Sequence, residues 1–396
     1  MDFAGTKSLF HLPSGVIYLD GNSLGPLPKT TMAKLEHVTR HEWGETLITA
    51  WNGAGWMSQP SRLGDRIGRL IGAKPGSVVV GDTLSIKVYQ ALAAAIDLQP
   101  DRNVILSEPE NFPSDLYMAQ GLIGSLDRGL TLKCVTPDKI PNALEQNVAA
   151  LLLTEVNYRT GRLHNMQELT QMARENGVLT VWDLAHSAGA IPVDVARAGV
   201  DFAVGCTYKY LNAGPGAPAF IYVAPKLHDH IRPALSGWLG HQAPFAFDPD
   251  YHPGPGIERM RVGTPPVLQM AALEAALDIW DTVDMQDIRA RSIVLSELFI
   301  EHVERQCPQV NLVSPRDPNQ RGSQVSFAVD DAYPVVQALI ARGVIGDFRA
   351  PDLMRFGFAP LFIDEQDVEN AATILADILS SKSWDRPEFK KRAFVT

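Results

Sequence analysis

Along the middle of the chain, short runs of branched apolar residues alternate with longer stretches whose apolar residues recur at helical spacing. "SVVVGD" (77–82) leads into "TLSIKVYQALAAAIDL", "NVILSE" (103–108) into the segment around "DLYMAQGLIGSL", and "VAALLLTEV" (148–156) into "MQELTQMARENG". The last of these stretches stops at Gly177, as a helix ending on a glycine cap would. "VLTVWD" (178–183), "DFAVGCTYK" and "AFIYV" are further strand-like runs. Strand, helix and strand in this rhythm predict right-handed crossovers and a mostly parallel sheet flanked by helices. From Pro266 onward the pattern changes. "VLQMAALEAALDIW" and "DIRARSIVLSELFIEHVERQ" read as long helices, after which "GSQVSFAVD", "YPVVQALIARG", "LMRFGFAPLF" and "DVENAATILADIL" alternate strand with helix. The expected organisation is therefore a large α/β domain over 51–265 and a smaller α+β domain over 266–396. Residues 1–50 are rich in turn signals such as "DGNSLGPLP" and are expected to pack on the small domain or on a partner subunit.

Composition narrows the class. The chain has 396 residues, 45% of them apolar, enough for two cores. A formal net charge of −10 argues against nucleic acid or an anionic membrane as the main partner, because either calls for a basic face. Cys134, Cys206 and Cys307 are odd in number and lack metal-ligand spacing, so neither a disulfide framework nor a metal site is expected. No window reaches the ~18 apolar residues of a membrane span, and the first residues lack a signal-peptide pattern. A cytoplasmic location is the expectation.

In an open α/β sheet, ligands gather at the carboxyl ends of the strands, so polar residues at strand exits are the candidates. Asp183 closes "VLTVWD", with His186 three residues on. A buried carboxylate needs a cation or donor, although capping the following turn is the alternative. Lys209 leaves "DFAVGCTYK" between Tyr208 and Tyr210, with glycines behind it that would let backbone approach a ligand. It either snorkels to water or serves as an amine nucleophile whose pKa is lowered by desolvation. A helix beginning near Leu84, with the hydroxyls of Thr83 and Ser85, has the donors of a phosphate site; Asp82 or Thr83 acting as a plain N-cap is the other reading. "ENFPSD" (110–115) presents Phe112 beside Asp115, as a stacking face or as a core ring in a proline turn. A phosphate cradle, an aromatic face, a carboxylate and an amine 26 residues beyond it together fit pyridoxal 5′-phosphate, whose aldehyde condenses with lysine and whose pyridine nitrogen pairs with an acid.

These residues, with "YLDGNSLGPLP", "WNGAGW", "NFPSD", "DLAHSAGAIPVD", "GCTYKYLNAGPGAPAF", "GWLGH", "RVGTPP" and "MRFGFAPLF", resemble the kynureninase family over nearly the whole chain. That resemblance implies the pyridoxal-phosphate-dependent transferase fold of type I, a homodimer with shared active sites, and hydrolysis of L-kynurenine or its 3-hydroxy form in tryptophan catabolism. "DxAH" with a later lysine is shared with cysteine desulfurases and aminotransferases, which remain the alternative; a desulfurase needs a mobile catalytic cysteine. By resemblance Lys209 is the cofactor-linked lysine, Asp183 the partner of the pyridine nitrogen, and Tyr208 a proton donor that also touches the phosphate. Leu84 and Ser85 would bind the phosphate, Phe112 would stack on the ring, and Asp115, Thr154 and His186 would lie beside it. Trp238 and Thr264 would reach the phosphate from the other subunit. Arg355 is expected to grip the substrate carboxylate, and an arginine in an alternating apolar strand calls for a partner in any case. Ser23 and His41 correspond to positions near the substrate's aromatic ring, with a surface histidine as the alternative for His41.

Overall fold

The computed structural model describes residues 2–393. Seven strands form the main sheet: β1 (Val78–Val80), β2 (Val104–Ser107), β3 (Thr131–Cys134), β4 (Val148–Thr154), β5 (Leu179–Asp183), β6 (Phe202–Gly205) and β7 (Phe220–Val223), in spatial order β1-β7-β6-β5-β4-β2-β3. Neighbours from β3 through to β6 pair in parallel. The central strands are buried along nearly their whole length because both faces are covered, which is why they read as apolar runs without alternation. Alternate residues nonetheless serve opposite faces: Phe220 and Tyr222 belong to one core, Ile221 and Val223 to the other. Helix α1 (Leu84–Asp97) fills the second core with its alanine-rich body, beside α2 (Pro113–Leu126).

β7 departs from the expected parallel rhythm. It runs antiparallel to both β6 and β1. The loop between β6 and β7 contains Asn212, Gly214 and Gly216, all at positive φ (61°, 88° and 74°). Those residues turn the chain back on itself, and a Cβ on either glycine would meet no protein atom within 4 Å. A close approach within the protein is made by Gly25, where a Cβ would lie 2.4 Å from the carbonyl oxygen of Lys209. The Gly25 N–H donates to the Tyr208 carbonyl at 2.8 Å, so the N-terminal segment braces the lysine loop.

A second sheet holds β8 (Asn311–Leu312), β9 (Gln324–Ala328), β10 (Asp347–Arg349) and β11 (Leu353–Gly357), antiparallel in the order β8-β9-β11-β10. Helices Met285–Gln306 and Glu365–Ser381 pack together beside it, as the 3.6-residue pattern of those segments requires. The N-terminal segment ties onto this part: Ile17–Tyr18 pairs in parallel with Val344–Ile345, and Lys7 bridges Asp364 and Asp367. Helix Val267–Trp280 packs instead on Thr30–His37 and Gln59–Leu70, where Glu274 pairs with Lys34 and Arg62. No helix among the described residues is long and apolar enough to cross a membrane.

Candidate active site

The carboxyl ends of β4, β5 and β6 converge, as the strand-exit argument anticipates. Thr154 is the last residue of β4, Asp183 the last of β5, and Lys209 follows β6 by four residues. All three are buried, together with Asp115 and His186. Lys209 Nζ lies 3.0 Å from His186 Nε2 and 5.8 Å from the ring centres of both Phe112 and Tyr208. An ammonium can only donate, so Nε2 accepts and the ring proton belongs on Nδ1, which has no partner. Burial, then the charge of Lys209, hold the imidazole well below its usual pKa and keep it neutral.

Two carboxyl groups share this interior. Burial raises Asp183, opposed by Lys209 and by the Ala185 N–H, which donates to Oδ1 at 2.9 Å. Burial and the neighbouring Asp183 raise Asp115 well above the ordinary carboxylate range. Two adjacent buried carboxyls are not readily both charged, so the pair shares its protons, with Asp115 the more strongly raised member. Thr154 Oγ1 donates to Asn111 Oδ1 at 2.5 Å and lies 3.4 Å from Asp115 Oδ2. Phe112, held by Pro113 at the start of α2, meets the Tyr158 ring edge-on at 5.2 Å. Cys206 is buried, its thiol directed at the Ala185 carbonyl, as a small core residue should be.

No side chain caps α1, and its first turn carries no acid. Thr83 takes the extended N-cap conformation, while the carboxylate of Asp82 turns to Lys87 rather than to the helix amides. The donors at the start of α1 therefore stay available for an anion, beside Ser85 Oγ and Ser114 Oγ, themselves 3.0 Å apart.

Arg355 is buried in the adjoining wall. Its Nε donates to Asp347 Oδ1 at 2.8 Å and its Nη2 to Ser23 Oγ at 2.9 Å, with further bonds to Asp347 Oδ2 and to the Tyr158 carbonyl. Arg349 joins through Asp347 Oδ2 at 2.6 Å. Burial and Asp347 push Asp20 up to about 7 against the pull of Arg355. Asp347, Arg349 and Asn111 escaped the sequence reading. An acid two residues from an arginine on a short strand carries no local signal until that strand pairs with β11. The partner that Arg355 was expected to need is thus Asp347.

Three expected residues lie elsewhere on the single chain. His41 is exposed on a widened helical turn (Val38–Trp43), its Nδ1 2.9 Å from Glu45. Trp238 and Thr264 are exposed on segments joined by the bond from Leu239 N–H to the Val262 carbonyl at 3.2 Å.

The donor set fits pyridoxal 5′-phosphate. The buried Asp183 carboxyl could hold a pyridine nitrogen's proton, His186 retains an unused ring nitrogen, and α1 offers uncapped amides to a phosphate. A desulfurase-like thiol is missing from the described residues: Cys307 is fully buried at the end of helix Met285–Gln306, and Cys134 lies on the edge strand β3.

Residues 288–375 match the family model described as the kynureninase C-terminal domain. Over 99% of its length the chain is 49% identical to a kynureninase from Pseudomonas fluorescens and 51% identical to one from Burkholderia pseudomallei (strain 1106a), covering 96% of each. Among solved structures, an apo cysteine desulfurase from Thermococcus onnurineus NA1 superposes with a TM-score of 0.81 at 19% identity, covering 96% of this chain and 99% of that one. A C-DES mutant with glycine covalently linked to its PLP cofactor gives 0.82, also at 19% identity, covering 95% and 99%. At that identity the two structures speak to the fold, a pyridoxal-phosphate fold of type I.

Proposed function

The chain belongs to the kynureninase family, and we propose from that premise that it hydrolyses L-kynurenine to anthranilate and L-alanine with pyridoxal 5′-phosphate as cofactor. The observation that carries the site assignment is the buried contact of Lys209 with His186, beside the buried carboxyl of Asp183. Asp183 would hold the pyridine nitrogen, Leu84 and Ser85 the phosphate, and Phe112 the ring face. The bound cofactor supplies an electron sink for a carbanion at the substrate Cα.

The protein's own residues do the rest. Arg355, fixed by Asp347 and Ser23, presents a rigid guanidinium to the α-carboxylate. Lys209 removes the Cα proton. His186 Nε2, 3.0 Å from the amine, would orient it for that transfer. Water adds to the γ-carbonyl, the Cβ–Cγ bond breaks, and anthranilate leaves while the three-carbon remainder is protonated to alanine. Tyr208, whose hydroxyl burial keeps protonated, would donate in that last stage. The 3-hydroxy substrate is the second candidate for the same pocket.

A homodimer completes this reading. Trp238, Phe245 and Phe247 form an exposed aromatic patch, with successive centroids 5.7 and 6.5 Å apart, next to the segment of Thr264. A partner covering that patch would bring Trp238 and Thr264 to a neighbouring phosphate, and His41 to a neighbouring substrate. A cytoplasmic location agrees with the three free thiols.

The test is to load the purified chain with pyridoxal 5′-phosphate and follow anthranilate fluorescence on adding kynurenine. Alanine release from cysteine is measured in parallel. Alanine from cysteine with no anthranilate from kynurenine would overturn the proposal in favour of a desulfurase.

A further inference from the structure

Lys87 is the one charged residue of α1 that lies wholly inside the protein among those described, and nothing in the reaction uses it. Its ammonium makes three bonds: to Asp82 Oδ2 at 3.1 Å, to Gln90 Oε1 at 2.9 Å and to the Met260 carbonyl at 3.3 Å. Gln90 Nε2 reaches that same carbonyl at 3.2 Å. These partners come from three places. Asp82 stands immediately before the N-cap of α1, at φ 56°, a left-handed conformation uncommon for a residue with a side chain. Gln90 is one turn further along the same helix. Met260 ends the turn Gly256–Met260 and precedes Thr264 by four residues.

A buried ammonium must satisfy its donors or pay desolvation without return, so these three bonds fix where Asp82 can sit. The backbone leaving Asp82 determines the direction in which the first amides of α1 point. The strand side of the loop is pinned separately, by Gly81 N–H to the Ala219 carbonyl at 2.8 Å and Ala219 N–H to the Asp82 carbonyl at 3.0 Å. Releasing Lys87 would leave the backbone anchor intact but free the turn from Asp82 to Ser85. We propose that Lys87 is a positioning residue for cofactor phosphate: it holds Asp82 and the start of α1 against the Met260 segment, so that the amides of Leu84 and Ser85 meet the phosphate pre-aimed. The inference rests on the site assignment made above for pyridoxal 5′-phosphate.

The experiment compares the full-length chain with its Lys87→Met variant, each freed of cofactor and titrated with pyridoxal 5′-phosphate, with pyridoxal and with inorganic phosphate. Loss of pre-aimed amides should weaken pyridoxal 5′-phosphate and phosphate by about tenfold, the size of one lost charge-assisted contact, and leave pyridoxal unchanged. A general packing defect would weaken pyridoxal and its phosphate alike, and that outcome overturns the proposal, as does no change in any of the three. Should Lys87→Met fail to fold, Asp82→Ala removes the acceptor and breaks the same tie from the other side. It must show the same phosphate-selective loss, and unaltered affinity there refutes the idea. A parent chain that binds no pyridoxal 5′-phosphate defeats the site assignment itself, whereas a parent that binds it and a variant that matches it defeat only the role of Lys87.

Discussion

Lys209 Nζ rests 3.0 Å from Nε2 of His186, and the two residues reach that contact from the ends of adjacent parallel strands, β6 and β5. The pairing places an amine against a neutral acceptor in a space from which water is largely displaced, with the buried carboxyl of Asp183 nearby.

Replacing that amine is the most direct check. Lys209→Ala should fold, lose kynurenine turnover and lose the visible absorbance of the cofactor-loaded protein, while phosphate contacts retain some cofactor. Normal turnover in this variant would remove Lys209 from the chemistry.

Asp183→Asn keeps the shape and hydrogen-bonding capacity of the side chain and deletes its charge. Turnover should fall by on the order of 10²-fold, as when one preorganised electrostatic group is removed. Measured kcat/KM for kynurenine decides it, and a change within twofold would detach Asp183 from the pyridine nitrogen.

Asp347 holds two guanidiniums, Arg349 and Arg355, and is itself fully buried. Asp347→Ala should leave both cations without a counter-charge, destabilising the fold by about 3–5 kcal/mol. Calorimetry would show this as a lowered Tm, and KM for kynurenine should rise because Arg355 loses its support. A variant with unchanged Tm and KM would mean that the cluster neither stabilises nor orients.

Glu155 is buried directly after Thr154, with Oε2 unpartnered, and burial pushes its carboxyl from 4.5 up to about 7. Its folded pKa exceeds the unfolded one, so between those two values the folded chain keeps a proton that the unfolded chain has released. The contribution of this group to stability therefore declines as pH rises through that window. Glu155→Gln should raise Tm at pH above about 7 and change it little below about 4.5. Equal shifts at both ends would show that the carboxyl does not titrate in the fold.

Much of the site was legible because strand exits are local features. Asp183, Lys209 and the start of α1 each end or begin an element whose apolar pattern is visible in the chain, and the fold places the ends of neighbouring strands together; Thr154 was named only through the family resemblance. His186 follows Asp183 so closely that it had to share the pocket. Asp347 was not legible, because its meaning depends on β10 pairing with β11 and lying against Ser23, more than 300 residues away in sequence. Nor was Lys87, which in the sequence is one more polar position on a helix, and whose acceptor at Met260 is a backbone carbonyl with no side-chain signature.

The order of elements, their burial and the residue types at the strand exits were determined by the amino-acid sequence alone, since periodicity and composition act over a few neighbouring residues. Only tertiary structure decided that β7 runs against its neighbours, that Gly25 presses on the lysine loop, and which anion holds Arg355. Each of these depends on contact between segments far apart in the chain, where geometry selects the partner and no local pattern records the choice.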